Sequence, residues 1–273
     1  MNALQKNNVE NNPQEQKSVV IITGASSGLG RAFAVALDER LPQTAVFWLI
    51  ARHKDTLEET AATLNRDVRL LPLDLTLPES FTKLNAILEK ERPVIRYLVN
   101  NAGEGRAGNF ENESFDAHKS LCDLNVRAPL LLTSLALPWM EQASRLLFTS
   151  SVAAFLPQPG FASYAASKSM ILSFARALSE ELRPRGIHVA VTCPNPMMTD
   201  FFTSEEKEAF QKSYKRLSIE DPDVVVQKTL EAVERGRRLI VTGGWGKAIH
   251  IISRLIPISW MTRIIAKLSS RDT

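Results

Sequence analysis

A single-domain α/β fold, one doubly wound parallel sheet of about seven strands with helices on both faces, is what the sequence predicts. Two observations carry the expectation. From Ser18 onward, short apolar runs alternate with longer amphipathic stretches, the signature of repeated strand–helix units. The short runs are also near-continuous in β-branched residues and leucine, which suits parallel strands covered on both faces.

Taken in order, the strands read as SVVIIT (18–23), AVFWLIA (45–51), VRLLPL (68–73), IRYLVN (95–100), SRLLFTS (144–150), IHVAVTC (187–193) and RLIVTG (238–243). Helical stretches fall between them at 29–40, 54–65, 78–91, 114–142, 163–183 and 221–235, the fourth divided into two helices around Pro129. No internal repeat or linker breaks the pattern. Residues 1–17, rich in Asn and Gln, read as a disordered lead-in without the apolar centre of a signal peptide. Residues 18–244 form the domain, and 245–273 a C-terminal amphipathic helical extension.

Composition narrows the function classes. The 273 residues are 44% hydrophobic and 23% charged, ordinary for a globular protein with a sizeable core. A formal charge of +3 with scattered basic residues argues against nucleic acid as a partner. Cys122 and Cys193 have no metal or redox spacing, and the four histidines show no ligand motif, so no metal is expected. A reducing, cytoplasmic setting is the natural expectation, and no apolar stretch reaches the ~18 residues of a membrane span.

In a doubly wound sheet, ligands bind at the carboxyl ends of the strands. The first strand ends in TGASSGLG, with glycines at 24, 28 and 30. They allow a tight turn, close approach of backbone to a phosphate, and a helix N-terminus beside it. The spacing is Gly-x3-Gly-x-Gly rather than the usual Gly-x-Gly-x-x-Gly, and a structural turn without ligand stays open. After the second strand Arg52 stands where dinucleotide sites for NAD place an acidic residue, and an arginine there suits a 2′-phosphate. A solvated surface arginine is the alternative. Asp74, after the third strand, can accept from an adenine amino group or cap the following turn. NNAG (100–103) suits backbone contact with a flat ligand, or a plain turn. Asn125 interrupts an otherwise apolar helix, where it needs partners, either a neighbouring backbone group or a water.

The fifth strand ends at Ser150 and Ser151, and SYAASK (163–168) follows. Tyr164 and Lys168 share a helix face about 5–6 Å apart, and an ammonium beside a phenol lowers the phenol pKa from its usual ~10. Small residues between them leave room for a ligand; an ordinary exposed turn is the competing reading. Ser151 and Tyr164 can converge on one carbonyl oxygen. After the sixth strand comes CPNPMMTD, in which Thr199 can donate to an amide.

Together these residues resemble the short-chain dehydrogenase/reductase family in its classical form, a Rossmann-like fold, from Ser18 to about Gly243. The resemblance rests on TGASSGLG, Asp74, NNAG, Asn125, Ser151, YAASK and PNPMMT in that order. It implies hydride transfer between a nicotinamide and a carbonyl or secondary alcohol. In that reading Tyr164 is the general acid, Lys168 tunes it and holds the nicotinamide ribose, Ser151 orients the carbonyl, and Asn125 supports a water relay. It implies dinucleotide contacts from Gly24, Ser26, Ser27, Gly28, Leu29 and Gly30 in the first turn. Arg52, Asp74 and Leu75 follow, then Asn101, Ala102 and Gly103, with Tyr164, Lys168, Pro194, Met197 and Thr199 at the nicotinamide end. Arg52, helped by Arg31, His53 and Lys54, implies NADP(H) in preference to NAD(H). A non-catalytic dinucleotide-binding regulatory protein of the same fold is the alternative, disfavoured because tyrosine, lysine and serine are all present.

Two positions depart from the pattern. Asn195 follows Pro194 where the family has glycine, and asparagine tolerates positive φ; Ala154 replaces a common glycine and is expected to narrow the pocket. Phe155, Leu156, Met197, Met198, Phe201, Phe202 and Phe210 suggest an apolar carbonyl substrate, and Arg106 is placed to meet an acidic group or solvent. The resemblance implies a homodimer or homotetramer pairing the helices near 129–142 and 163–183, with Leu135, Trp139, Ile171, Phe174 and Leu178 on outward faces. In the tail, Pro257 separates two short helices. The second carries Trp260, Met261, Ile264, Ile265 and Leu268 on one side and Ser259, Arg263 and Lys267 on the other. Packing over the pocket or a partner subunit and peripheral membrane contact both stay open.

Overall fold

A computed structural model describes residues 18–199 and 218–269. Its strands are β1 (Ser18–Thr23), β2 (Val46–Ala51), β3 (Val68–Pro72), β4 (Val94–Asn100), β5 (Arg145–Thr149), β6 (His188–Thr192) and β7 (Leu239–Ile240). They form one sheet in the order β3-β2-β1-β4-β5-β6-β7, with every pair parallel. The expected seven strands are all present. β7 is shorter than its apolar run, because Thr242 turns its hydroxyl to Glu220 and Gly243 caps the next helix. Pro72 ends the edge strand β3, where a missing N–H disturbs the ladder least.

Successive strand residues point to opposite faces, and the two cores follow. Ile21, Leu98, Leu146 and Val189 pack under α3 (Pro78–Glu91), α5 (Ala128–Ala136) and α6 (Ala162–Glu181). Val20, Ile22, Val99 and Ala190 pack under α1 (Gly28–Arg40), α2 (Lys54–Ala61) and α7 (Pro222–Glu234). Each fully buried aliphatic side chain contributes about 1.5–3 kcal/mol, so apolar residues on both faces of the strands are what hold the helices on. α2 stops at Ala61, short of the expected 65, because Asn65 and Arg66 leave the helix to bind the buried Asp38 carboxylate of α1.

The stretch read as 114–142 divides differently from expectation. α4 (Phe115–Cys122) runs through a π turn at Asp123–Arg127 into α5, and Pro129 lies in the first turn of α5. The physical reason is the proline: it has no N–H for the carbonyl of Asn125, four residues back, and its ring crowds that carbonyl. The widened turn closes instead from Ala128 N–H to Asp123 O. The supposed outward faces are a second correction. Ile171 and Leu178 are buried, and Leu135, Trp139 and Phe174 pack against the same core, so they do not make a free pairing surface.

The chain winds from β1 out to β3, then returns to β4 on the other side of β1. A crevice opens at such a reversal above the carboxyl ends of β1 and β4. Beyond the sheet lie α8 (Gly244–Leu255) and α9 (Ile258–Ser269), divided at Pro257 as expected.

Candidate functional site

The TGASSGLG turn opens directly from β1. Gly24 and Gly28 hold φ of 64° and 50°, a region costly to residues with a Cβ. Gly30 is the tightest: a Cβ there would lie 2.0 Å from Gly24 O and 2.8 Å from Asn101 Nδ2. Ser27 begins α1 without a side-chain cap, and Leu29 is buried against the sheet. Ser26 and Ala25 offer their carbonyls to Thr60 of α2. The result is a bare, closely approached helix N-terminus, a cradle that suits a phosphate.

Thr23, which sequence reasoning passed over, joins β1 to β4. Its hydroxyl donates to Val99 O and accepts from Asn101 N and Ala102 N, both at 2.9 Å. Asn101 Nδ2 returns to Thr23 O at 3.1 Å, and its Oδ1 accepts from Thr149. Beside these lies a narrow crevice lined by Thr23, Leu75, Asn100, Ala102 and Leu124 among others. Asn100 Oδ1 is buried with no hydrogen-bond partner in the protein. The glycine cradle and this orphaned acceptor both fit a dinucleotide.

Asp74 takes the capping alternative: its Oδ1 accepts from Thr76 N at 2.9 Å and Thr76 Oγ1 at 2.7 Å. Burial pushes its carboxyl up, but the Thr76 hydrogen bonds and the charge of Arg52 outweigh that and hold it below the usual range. Arg52 itself is exposed past the end of β2, while Lys54 is paired with Glu58 at 3.1 Å. Asn125 likewise takes the backbone alternative, from within the π turn. It accepts from Glu104 N and donates to Glu104 O, both at 2.8 Å, and also donates to Ser167 Oγ. Gly103 leaves room for this: a Cβ would sit 3.0 Å from Asn125 Oδ1 and 3.1 Å from Lys168 Nζ, tight against both side-chain ends. π turns of this kind are frequent at functional sites.

Ser151, Tyr164 and Lys168 come together where β5 meets the first turns of α6. Tyr164 and Lys168 are both buried, and the Tyr164 hydroxyl is hydrogen-bonded to Ser151. Ser151 Oγ also accepts from Ala153 N at 3.1 Å. Lys168 Nζ donates to Thr149 O at 3.1 Å and lies 5.6 Å from the centre of the Tyr164 ring. The electrostatics correct the sequence expectation. Burial pushes the Tyr164 phenol up to about 12, the Ser151 hydrogen bond only partly opposing and Cys193 adding to the rise. Burial brings the Lys168 ammonium down to about 8, with Cys193 opposing. Desolvation disfavours both charged forms, and it outweighs the pairing that the i, i+4 spacing suggested.

At the exit of β6, Val152 N donates to Pro194 O at 3.1 Å, tying this strand end to the residue after Ser151. Thr199 folds back to the glycine turn, 3.2 Å from where a Gly28 Cβ would be, and Met197 packs on the core. Asn195 does not adopt positive φ. It replaces glycine by a different device. Its backbone N–H donates to Glu220 Oε2 at 3.0 Å, Thr242 Oγ1 donates to the same oxygen at 2.6 Å, and Glu220 N donates to Pro196 O at 2.9 Å. The Asn195 amide fills space left by glycines further along: a Cβ on Gly243 would lie 1.9 Å from Asn195 Nδ2, and one on Gly246 2.9 Å from its Oδ1. Gly243→Ala is therefore expected to destabilise by about 1–3 kcal/mol through overpacking. Adding Asn195→Gly is expected to recover much of that loss, read as paired thermal midpoints; equal midpoints for the single and double variants would refute the fit.

Of the suggested substrate-lining residues, Leu156 is buried and the Phe155 ring lies tilted against His250, 4.4 Å between centroids; Ala154, expected to narrow the pocket, is buried. Phe201, Phe202 and Phe210 lie outside the described residues. A shallow open depression lies next to Ser163, the residue before Tyr164, lined by Arg106, Phe110, Glu113 and His118 among others. His118 was not legible as a site residue, since only the packing of α4 brings it within 3.4 Å of Ser163. Arg106 does reach this depression, with Glu104 at 3.9 Å.

Residues 18–209 match the family model described as short chain dehydrogenase. The 11-beta-hydroxysteroid dehydrogenase-like 2 protein of Arabidopsis thaliana is 28% identical over 246 residues, covering 88% of this chain and 78% of the relative. Among solved structures, a short-chain dehydrogenase from Sphingobium yanoikuyae in complex with NADPH is 26% identical with a TM-score of 0.72, covering 82% of this chain and 87% of the other. A short chain dehydrogenase/reductase from Burkholderia phymatum in complex with NAD is 25% identical with a TM-score of 0.74, covering 88% and 92%.

Proposed function

This chain belongs to the short-chain dehydrogenase family and is an NAD(P)-dependent oxidoreductase acting on CH–OH or C=O groups, and on that premise we propose that it reduces apolar carbonyl compounds with NADPH through Tyr164. The observation that carries the proposal is the Tyr164 hydroxyl held by Ser151, with Lys168 buried beside it at the carboxyl end of β5. A nicotinamide dinucleotide bound here supplies the hydride. The residues do the rest. With its pKa near 12, Tyr164 stays protonated at neutral pH and serves as the acid that gives its proton to the carbonyl oxygen. Ser151 hydrogen-bonds the same oxygen and fixes its place. Lys168, anchored on Thr149 O, would replenish the phenol proton and would donate to the ribose hydroxyls of a bound dinucleotide. Asn125 acts by holding Glu104 and Ser167 around that lysine and so supports the relay.

The glycine turn would hold the pyrophosphate, Leu75 and Ala102 the adenine end, and Pro194, Met197 and Thr199 the nicotinamide end. Arg52 would take the 2′-phosphate, since it is exposed while Lys54 is engaged with Glu58. A charge-assisted arginine–phosphate contact is worth about 1.5–3 kcal/mol, or roughly ten- to a hundredfold in affinity. Wild type is expected to bind NADPH more tightly than NADH, and Arg52→Asp to reverse the order; equal affinities in the wild type would remove Arg52 as selector. A panel of ketones, aldehydes and secondary alcohols, followed by NADPH absorbance, tests the activity itself. The assembly implied by the resemblance, two or four chains, is checked by light scattering.

A further inference from the structure

The helices beyond the sheet turn their apolar side away from the fold. α8 seats Gly246 on Val152, where a Cβ would come within 2.6 Å of Val152 Cγ1, and sets His250 tilted against Phe155. The other half-buried positions of α8 are Ala248, Ile249 and Ser253, so the side facing the fold carries one large aliphatic residue, Ile249. Trp245, Ile251, Ile252 and Leu255 lie outside, Leu255 being 77% exposed. α9 continues the surface with Ile258, Ile264 and Trp260, the last 65% exposed. Most of the large apolar side chains exposed by the described residues fall between Trp245 and Ile264. An amphipathic helix normally lays its apolar stripe on the core; here Ile249, Met261 and Ile265 are half-buried and the rest of the large apolar side chains named above stay outside.

Charge selects what covers them. Residues 244–269 contain no aspartate or glutamate, and Lys247, Arg254 and Arg263 are exposed alongside the apolar side chains. A second copy docked by two-fold symmetry would lay this patch against itself, setting cation against cation with no carboxylate between them. A layer of anionic headgroups over acyl chains meets both needs, and tryptophan is at home at that depth. We propose that α8 and α9 dock this protein on an anionic membrane interface. They lie in its plane: each has 12 residues, too few to cross, and no described helix is long and apolar enough to span a membrane.

The test is co-sedimentation of the full-length protein with two kinds of vesicle, phosphatidylcholine alone and phosphatidylcholine mixed with phosphatidylglycerol. Binding is expected to the mixed vesicles and to weaken as salt screens the headgroups. Arg254→Glu with Arg263→Glu is expected to weaken it at least about tenfold, and Leu255→Asp with Trp260→Asp to abolish it at every salt concentration. Cofactor affinity serves as the check that each variant is folded. Wild type remaining in the supernatant with mixed vesicles would overturn the proposal, as would equal, salt-independent binding to neutral ones. A dimer in light scattering that Leu255→Asp reduces to a monomer, without vesicle binding, would instead assign the face to a second copy.

Discussion

Replacing Tyr164 by phenylalanine is expected to lower kcat by about 10²–10⁴-fold, the range of acid–base assistance, while leaving dinucleotide affinity nearly intact. The ring keeps its contacts with Phe161 and the Leu121–Ala153 cluster, so the loss falls on the hydroxyl, with its transferable proton and its hydrogen bond to Ser151. The raised phenol pKa adds a direction to the pH profile. Reduction needs the phenol, which persists through neutral pH, so its rate should not fall on Tyr164's account between about pH 6 and 9. Oxidation needs a proton acceptor and should rise with pH over the same range. Stability has a sign too. A folded pKa raised from 10.0 to about 12 means that the neutral phenol's contribution is intact below pH ~10 and is lost as the pH climbs towards the folded pKa. The phenylalanine variant should lack that alkaline loss. Retention of most of kcat on a verified substrate would exclude Tyr164 as the acid.

Gly30→Ala is expected to be the most damaging change in the cofactor turn. Its Cβ would collide with Gly24 O, a backbone atom with no side-chain freedom to yield. Either the turn or the first residues of α1 must shift, costing about 3 kcal/mol and displacing the N–H groups that face a phosphate. Dinucleotide affinity should fall more than a hundredfold and the thermal midpoint with it, both measurable by a melt with and without NADPH. Full affinity in the alanine variant would show that the turn does not hold the dinucleotide.

The sheet was legible because strands covered on both faces leave near-continuous apolar runs, and each of the seven runs became a strand. The glycine turn and the serine–tyrosine–lysine group were legible because each is local in sequence or falls at a strand end. What stayed hidden depends on distant partners or on solvent. Spacing placed Lys168 beside Tyr164, yet the sign of both pKa shifts follows from burial, which spacing does not report. Asn195 looked like a strained turn residue, because the glycines that make room for it, Gly243 and Gly246, lie far along the chain. The π turn was in principle readable: Pro129 four residues after Asn125 leaves that carbonyl without its helical donor.

The clamp at Glu220 reaches beyond stability. Its carboxylate grips Asn195 and Thr242 while its N–H holds Pro196, so residues 196 and 220 are joined whatever sequence runs between them. That junction is a fixed neck between β6 and α7. The neck sits beside Pro194, whose carbonyl is bonded to the residue after Ser151. A change at Glu220 is therefore expected to be felt both at the β7 edge of the sheet and, through Pro194, beside the serine–tyrosine end of the site.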